Sequence, residues 1–167
     1  PILLEGFVRL GGRVAIVTGG ARHIGSAYCL RFAEEGAAVA IADILDGQSV
    51  ADEIRSKGGK AIALKIDMSN ENDTERMVAE TIQAFGRIDI LVNNAAHWES
   101  GGINQASAEG LDRHYAVNLR APVLLCSEFV RRRPPGVGGR IINLTSGQGR
   151  GPMPGELAYA VTKAGLD

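Results

Sequence analysis

Short apolar runs alternate with longer segments of helical periodicity along most of the chain. The runs are rich in β-branched and small apolar residues, and they occupy positions 14–17, 38–42, 61–66, 88–92 and 140–144. Brief, nearly continuous apolar runs are typical of parallel strands that are covered on both faces. The pattern therefore predicts five buried strands of a parallel sheet.

The segments between the runs predict helices. Asn70 offers an N-cap ahead of an acidic first turn, and Gly36 and Gly86 each stand where a helix-terminating glycine is expected. A further helix is predicted over 109–132 and should end at the pair Pro134-Pro135. One apolar helix face after the third run consists of Met77, Val78, Thr81, Ile82 and Phe85.

The order of these elements predicts the fold class. Strands that alternate with helices favour an α/β fold with right-handed crossovers, here a doubly wound, Rossmann-like parallel sheet in three layers, α/β/α. Neither a repeat nor a linker interrupts the pattern, so residues 1–167 are predicted to form a single domain. A sheet of this class normally has six or more strands. We therefore expect the domain to be incomplete at its C-terminus, with the last strands missing from this sequence.

Composition and charge exclude several classes of partner. Lys and Arg number 18 against 19 Asp and Glu, whereas a nucleic-acid-binding protein needs a basic face. No apolar run approaches the roughly 18 residues that span a membrane, and the two cysteines indicate no disulfide framework. A cytoplasmic protein without nucleic-acid or membrane partners is expected. The three histidines, at 23, 97 and 114, lack the spacing of zinc ligands, so no metal site is expected.

A glycine-rich turn, TGGARHIG at 18–25, joins the first predicted strand to the first helix. This arrangement forms an anion site because free backbone N–H groups and the positive end of the helix dipole face a phosphate. A purely structural turn is the alternative interpretation. The absence of the GxxxxGK[ST] motif excludes a P-loop kinase or ATPase.

An acidic residue, Asp43, ends the second predicted strand, eighteen positions after Gly25. A carboxylate at this spacing can accept hydrogen bonds from an adenosine ribose and repels a 2′-phosphate. Alternatively, Asp43 caps the following turn. NAD is therefore the expected cofactor, with NADP as the alternative because Arg22 could reach a 2′-phosphate. S-adenosylmethionine methyltransferases share this strand–turn–acid pattern.

Three polar residues near the C-terminus have the character of a catalytic group. Tyr159 and Lys163 stand four positions apart and so share one face of a helix. A nearby cation favours the phenolate over the phenol, which allows a tyrosine to act as a general acid/base. Ser146 follows the fifth strand, where the ligand sites of open α/β sheets gather, although it could equally be a turn serine.

Taken together, these motifs resemble the short-chain dehydrogenase/reductase family. The resemblance covers nearly the whole chain, and the motifs stand in the family's order and spacing. Each motif alone is weak evidence, but their joint occurrence is specific. The matching positions are Thr18-Gly19 with Gly25, Asp43, Asn93-Asn94-Ala95, Asn118, Ser146, and Tyr159 with Lys163.

The resemblance implies a role for each matching residue. Tyr159 would be the acid/base, and Lys163 would favour its phenolate and hold the nicotinamide ribose. Ser146 would orient and polarise the substrate carbonyl. Asn118 would kink its helix and hold a water in the proton relay. The cofactor-binding set would comprise Gly19, Arg22, His23, Ile24, Gly25, Asp43, Asp67, Met68, Asn94, Ala95, Tyr159 and Lys163.

The implied activity is hydride transfer between NAD(P) and a small-molecule alcohol or carbonyl, without a metal. The alternatives are 3-oxoacyl thioester reduction as the specific activity, or a non-catalytic dinucleotide-binding protein. A methyltransferase ranks third because it gives Tyr159 and Lys163 no role. Similar proteins associate through the helix over 109–132 and the one that begins near Tyr159, which implies a homo-oligomer, a dimer or a tetramer.

One position departs from the family pattern within the glycine-rich turn. The family usually has glycine where this chain has His23. A side chain there is expected to crowd the approach of the backbone to the pyrophosphate.

Overall fold

Five strands alternate with six α-helices in the computed structural model, which describes residues 8–133, 136–151 and 153–167. The strands pair in parallel in the order β3-β2-β1-β4-β5. The predicted doubly wound α/β class is therefore confirmed. The elements are β1 Val14–Thr18, α1 His23–Glu34, β2 Ala38–Asp43, α2 Gln48–Ser56, β3 Lys60–Lys65, α3 Glu71–Phe85, β4 Ile90–Asn93, α4 Ala108–Tyr115, α5 Ala121–Arg132, β5 Arg140–Asn143 and α6 Leu157–Leu166.

The core lies on both faces of the sheet. Alternate side chains of a strand point to opposite faces, so Ile16 of β1 packs in the cluster that contains Met77 of α3 and Phe129 of α5. Its neighbour Val17 packs in the other cluster, which contains Cys29 of α1. All five residues of β1 are buried, as expected for a strand covered on both sides. This packing produces the predicted three layers.

The predicted burial of β5 is wrong. Its run of apolar residues does form a parallel strand against β4, but all four of its residues are exposed. Ile141 and Ile142 have 38% and 42% of their surface accessible. β5 is one of the two edge strands of the described sheet, and it lacks the extensive helix packing that α2 gives to the other edge strand, β3.

The helix predicted over 109–132 is helical throughout but is not one α-helix. A π-helical segment, Ala116–Arg120, separates α4 from α5 and contains Asn118. The predicted stop at Pro134-Pro135 lies outside the described residues. The caps of α3 are as predicted: Asn70 accepts a hydrogen bond from the N–H of Asn72, and Gly86 has a φ of 78°. No helix of the described ranges is long and apolar enough to cross a bilayer.

Asp89 joins the starts of β1 and β4, at the edge of the sheet opposite the carboxyl ends of the strands. Its carboxylate is 2% exposed and accepts hydrogen bonds from the Val14 N–H and the guanidinium groups of Arg13 and Arg87. Burial alone would raise the pKa of Asp89, but these hydrogen bonds outweigh it and hold the pKa below its ordinary value. The ionised form is therefore bound more strongly in the folded state than in the unfolded chain.

We expect Asp89→Asn to lower the free energy of unfolding by about 2 kcal/mol at neutral pH, because charged hydrogen-bond partners lose their acceptor. Since the folded pKa is depressed, this contribution is present above the unfolded pKa of about 3.9 and is lost as the pH falls through the folded pKa. Denaturant unfolding at several pH values measures both effects. Asp112→Asn, at an exposed position on α4, is the control, and an equal loss in both variants would contradict this role.

Candidate active site

A cleft opens at the carboxyl edge of the sheet, where the strand order reverses between β1 and β4. Open α/β sheets bind ligands at such a point because the loops on its two sides diverge. Every residue of the predicted cofactor-binding set except Tyr159 and Lys163 borders this cleft of about 430 Å³. The lining residues are Gly19, Arg22, His23, Ile24, Gly25, Asp43, Ile44, Ile66, Asp67, Met68, Asn94, Ala95, Ala96, His97 and Val117.

Two glycines of the turn permit a close approach that a side chain would prevent. A Cβ on Gly25 would lie 1.9 Å from the carbonyl oxygen of Gly19, and one on Gly19 would lie 2.8 Å from Asn94 Nδ2. Gly19 also has a φ of 65°, in the left-handed region. The turn thus brings the start of α1 directly against the end of β4 and leaves its floor free of side chains.

The hydroxyl of Thr18 connects the two strands that border the cleft. It donates a hydrogen bond to the carbonyl of Val92 at 3.2 Å and accepts from the N–H groups of Asn94 and Ala95, each at 3.0 Å. These three bonds use its one donor and both lone pairs. The side chain of Asn94 adds bonds to the carbonyls of Thr18 and Gly19 at 2.8 and 3.1 Å.

His23 adopts a backbone conformation that normally favours glycine. Its φ of 51° is the only positive value among the described non-glycine residues. A residue with a Cβ is strained there, and glycine is the residue that the resemblance predicts at this position. The exposed side chain borders the cleft.

The carboxylate of Asp43 braces two turns and also borders the cleft. Its oxygens accept from the N–H groups of Ala21 in the glycine-rich turn and Leu45 in the next turn, each at 3.0 Å. The capping alternative is therefore present in the structure, and it does not exclude a ribose contact because each oxygen has a further lone pair. Asp67 makes a similar turn after β3, where its Oδ1 accepts from the N–H and the hydroxyl of Ser69.

Tyr159 and Lys163 lie together on α6. The ammonium of Lys163 is 5.8 Å from the centre of the Tyr159 ring, and it donates a hydrogen bond to the carbonyl of Leu144 at 2.7 Å. Lys163 is 2% exposed, and this burial lowers its pKa from the ordinary value. The phenol side chain is only partly buried, so it remains accessible beside a sequestered cation.

Ser146 follows β5 and begins a short 3-10 turn, Gly147–Gly149. Its hydroxyl accepts a hydrogen bond from the N–H of Gln148 at 3.3 Å, so the turn-serine alternative also describes its local geometry. A Cβ on Gly149 would lie 3.0 Å from the backbone of Ala164 in α6, so the turn packs closely against this helix. This contact holds the turn after Ser146 against the helix that carries Tyr159.

Asn118 links the end of β4 to α6 from within the π-helical segment. Its side chain accepts from the His97 N–H at 2.7 Å and donates to the His97 carbonyl at 2.9 Å and to the Thr162 hydroxyl at 3.2 Å. Asn118 is fully buried, and Thr162 is the residue next to Lys163. The amide therefore fixes the loop after β4 relative to the helix with Tyr159.

Sequence reasoning missed Thr18 and Thr162 as members of the site. Thr18 appeared only as the first letter of the turn motif, although its position before a glycine at a strand end was a usable signal. Thr162 carried no signal, because its role depends on the distant Asn118. The same holds for the contact between the rings of His97 and His114, whose centres are 4.7 Å apart.

The fold and the cleft define an open α/β protein with a glycine-rich turn at the carboxyl edge of its sheet, and comparison with known proteins agrees. A family model described as short chain dehydrogenase matches residues 13–167. The chain is 39% identical over 162 residues to the uncharacterized oxidoreductase YjdA of Bacillus subtilis, covering 92% of this chain and 64% of the relative. It is 36% identical over 160 residues to the 2,5-dichloro-2,5-cyclohexadiene-1,4-diol dehydrogenase LinX of Sphingobium indicum, covering 95% and 64%.

A solved structure shows the same similarity. The short chain dehydrogenase from Burkholderia cenocepacia in complex with NADP matches with a TM-score of 0.88 at 36% identity, covering 95% of this chain and 65% of that one. The chain therefore belongs to the short-chain dehydrogenase family. It spans 64% of the length of both YjdA and LinX.

We expect Thr18→Val to lower the free energy of unfolding by about 2 kcal/mol, because valine keeps the shape but leaves the partly buried N–H groups of Asn94 and Ala95 without their acceptor. Thr18→Ser keeps the hydroxyl and is the matched variant, with a loss of about 1 kcal/mol for one buried methyl. Denaturant unfolding compares the two. If the valine variant is as stable as the serine variant, the hydroxyl does not hold the strands as described.

Proposed function

We propose that the protein is an NAD(P)-dependent oxidoreductase that transfers a hydride between the nicotinamide and a small alcohol or carbonyl substrate. The observation that carries this proposal is the pairing of a partly exposed phenol, Tyr159, with the buried ammonium of Lys163 on α6. Family membership and the cleft beside β1 support it. A 3-oxoacyl thioester reductase remains the runner-up for the specific activity.

The residues of the cleft fit a dinucleotide. Gly19 and Gly25 form a cradle that a Cβ would fill, and the adjoining helix start offers backbone N–H groups to a phosphate. Asp43 stands where an adenosine ribose is bound in this class of fold, and Asp67 and Met68 border the same part of the cleft. When bound, the cofactor supplies a hydride acceptor or donor, so the chain itself needs no redox group.

The polar residues of α6 and the turn after β5 would handle the proton and the substrate oxygen. Tyr159 would give its phenolic proton to the substrate oxygen in reduction and take it back in oxidation. Lys163 would stabilise the phenolate by its charge, more strongly because it is buried away from water. Ser146 would donate a hydrogen bond to the substrate oxygen, and Asn118 would keep the loop after β4 aligned with α6.

Replacement of Tyr159 by phenylalanine tests the mechanism. We expect Tyr159→Phe to lower kcat by about 10²–10⁴, the usual contribution of a general acid/base, while the Kd for NADH stays within about threefold. The measurement is NADH turnover with a panel of secondary alcohols, sugars, steroids and 3-oxoacyl thioesters, together with NADH titration. Tyr115→Phe, at a half-exposed tyrosine on α4, is the matched control and should keep full turnover.

Two outcomes would overturn parts of this proposal. Near-normal turnover in Tyr159→Phe would remove the tyrosine mechanism. NADH binding without turnover of any substrate in the unaltered protein would favour the non-catalytic dinucleotide-binding alternative. Binding of S-adenosylmethionine in place of NADH would instead favour a methyltransferase.

Asp43 is proposed to set the preference for NAD over NADP. We expect the unaltered protein to bind NADH more tightly than NADPH, and Asp43→Asn to shift the ratio of the two Kd values by about tenfold towards NADPH, because the carboxylate charge that repels a 2′-phosphate is gone. Fluorescence titration with each cofactor measures the ratio. Tighter binding of NADPH by the unaltered protein would mean that Arg22, on the same cleft, dominates the choice.

A homo-oligomer is also part of the proposal. Apolar side chains are exposed on both helices for which association was predicted, and Val123, Val130 and Val161 have 56%, 61% and 57% of their surface accessible. Burial of such residues in a subunit interface would remove apolar surface from water. We retain the single-domain organisation and the cytoplasmic location as predictions.

A further inference from the structure

Three potential metal ligands that are separated in the sequence lie together beside the cleft, which only His97 of the three borders. His97 and Glu99 belong to the loop after β4, and His114 belongs to α4. One ligand atom from each of the three lies within 4.8 Å of the others. No metal site was expected because the histidines are not spaced in the sequence like zinc ligands. The fold nevertheless packs the imidazole rings of His97 and His114 edge to face.

His114 is held in the form that a metal requires. Its Nδ1 lies 2.8 Å from the carbonyl of Gly110, which can only accept, so Nδ1 carries the ring proton. Its Nε2 accepts from the Glu99 N–H at 3.2 Å, so this nitrogen carries no proton, and a metal ion bound there would replace that hydrogen bond. A histidine ligand typically donates its other N–H to a backbone carbonyl in this way, which fixes the ring. His114 is 2% exposed and so is firmly placed.

His97 contributes a ring nitrogen that has no partner. Its Nε2 is buried and makes no hydrogen bond with the described residues. Buried polar atoms normally have a partner, so an orphan of this kind needs an explanation. The nearest charged atom is Oε2 of Glu99, at 3.5 Å. A cation between these two atoms would satisfy both.

We propose that His97, Glu99 and His114 bind a divalent cation of the zinc class. With bonds of about 2.1 Å, two ligand atoms of a tetrahedral zinc ion stand about 3.4 Å apart, close to the 3.5 Å between His97 Nε2 and Glu99 Oε2. Glu99 has about half of its side chain exposed, so its carboxylate has room to adjust towards an ion. Two imidazoles and one carboxylate suit zinc, and the exposed side leaves a fourth position for water.

Arg113 competes for the same carboxylate. Its guanidinium lies 3.6 Å from Glu99 Oε2 and 3.7 Å from Glu109, so it has a second acidic partner. The exposed ion pair with Glu99 is weak, although it uses Oε2, the same oxygen that faces His97. Arg113 therefore lowers the affinity of the site without closing it.

The cation would act as a positioning element for the proposed catalytic residues. The backbone N–H and carbonyl of His97 both form hydrogen bonds with the side-chain amide of Asn118. Further along the same loop, the carbonyl of Gly101 accepts a hydrogen bond from the N–H of Leu157, the first residue of α6. An ion bound to His97, Glu99 and His114 would tie this loop to α4. It would not touch the reacting atoms, since the proposed hydride transfer needs no metal.

Zinc titration of the chelator-treated full-length protein, followed by calorimetry, tests the site. We expect one ion per chain, a tetrahedral absorption band when Co²⁺ replaces zinc, and at least tenfold weaker binding in His97→Gln and in Glu99→Gln. His114 is too buried to be a safe substitution. Arg113→Gln should bind zinc more tightly, because it frees the carboxylate, and His23→Gln, which removes the only other histidine, should leave the affinity unchanged.

A second measurement separates specific binding from general damage. Zinc should raise the melting temperature of the unaltered protein and of Arg113→Gln, but not of Glu99→Gln, because a ligand stabilises only the fold that binds it. No saturable binding by the unaltered protein would overturn the proposal. Equal affinity in the unaltered protein and His97→Gln would also overturn it, as would a loss in Arg113→Gln equal to that in Glu99→Gln.

Discussion

The hydroxyl of Thr18 is the interaction on which the site depends most. At the carboxyl edge of the sheet, the pairing of β1 with β4 ends at Val17 and Val92, and beyond this point the two segments diverge into the loops that border the crevice. One hydroxyl bonds to Val92, Asn94 and Ala95 and so joins both strand ends. With these bonds in place, the glycine-rich turn can pack against Asn94 without side chains in between.

The second constraint is the buried charge of Lys163, which lies outside the residues that line the cleft. Lys163 is held at the carbonyl of Leu144, between the end of β5 and α6, where desolvation disfavours its ammonium. Burying a cation is costly, so its retention beside an accessible phenol indicates a task that an apolar residue could not perform. The glycine-rich turn and this cation are the geometric observations that support the proposed chemistry, in addition to membership of the family.

The sequence predicted the features that depend on local patterns, and it did not predict the features that depend on residues distant in the chain. Strand positions and the helix caps followed from periodicity, from Asn70 and from the glycines, because those signals act within a few residues. The exposure of β5 could not be predicted, since its apolar run is the same whether or not a neighbour covers it. The contact of His97 with His114 depends on how the loop after β4 packs against α4, and no rule of sequence spacing predicts this packing.

The most direct test of the account is the binding of NADH to the folded full-length protein, followed by fluorescence. The account predicts saturable binding of one NADH per chain. Binding should survive Gly138→Ala, where a Cβ meets nothing within 4 Å, and be lost in Gly25→Ala, where it would meet the Gly19 carbonyl at 1.9 Å. Absence of saturable binding in the unaltered protein would contradict the account, as would full binding by Gly25→Ala.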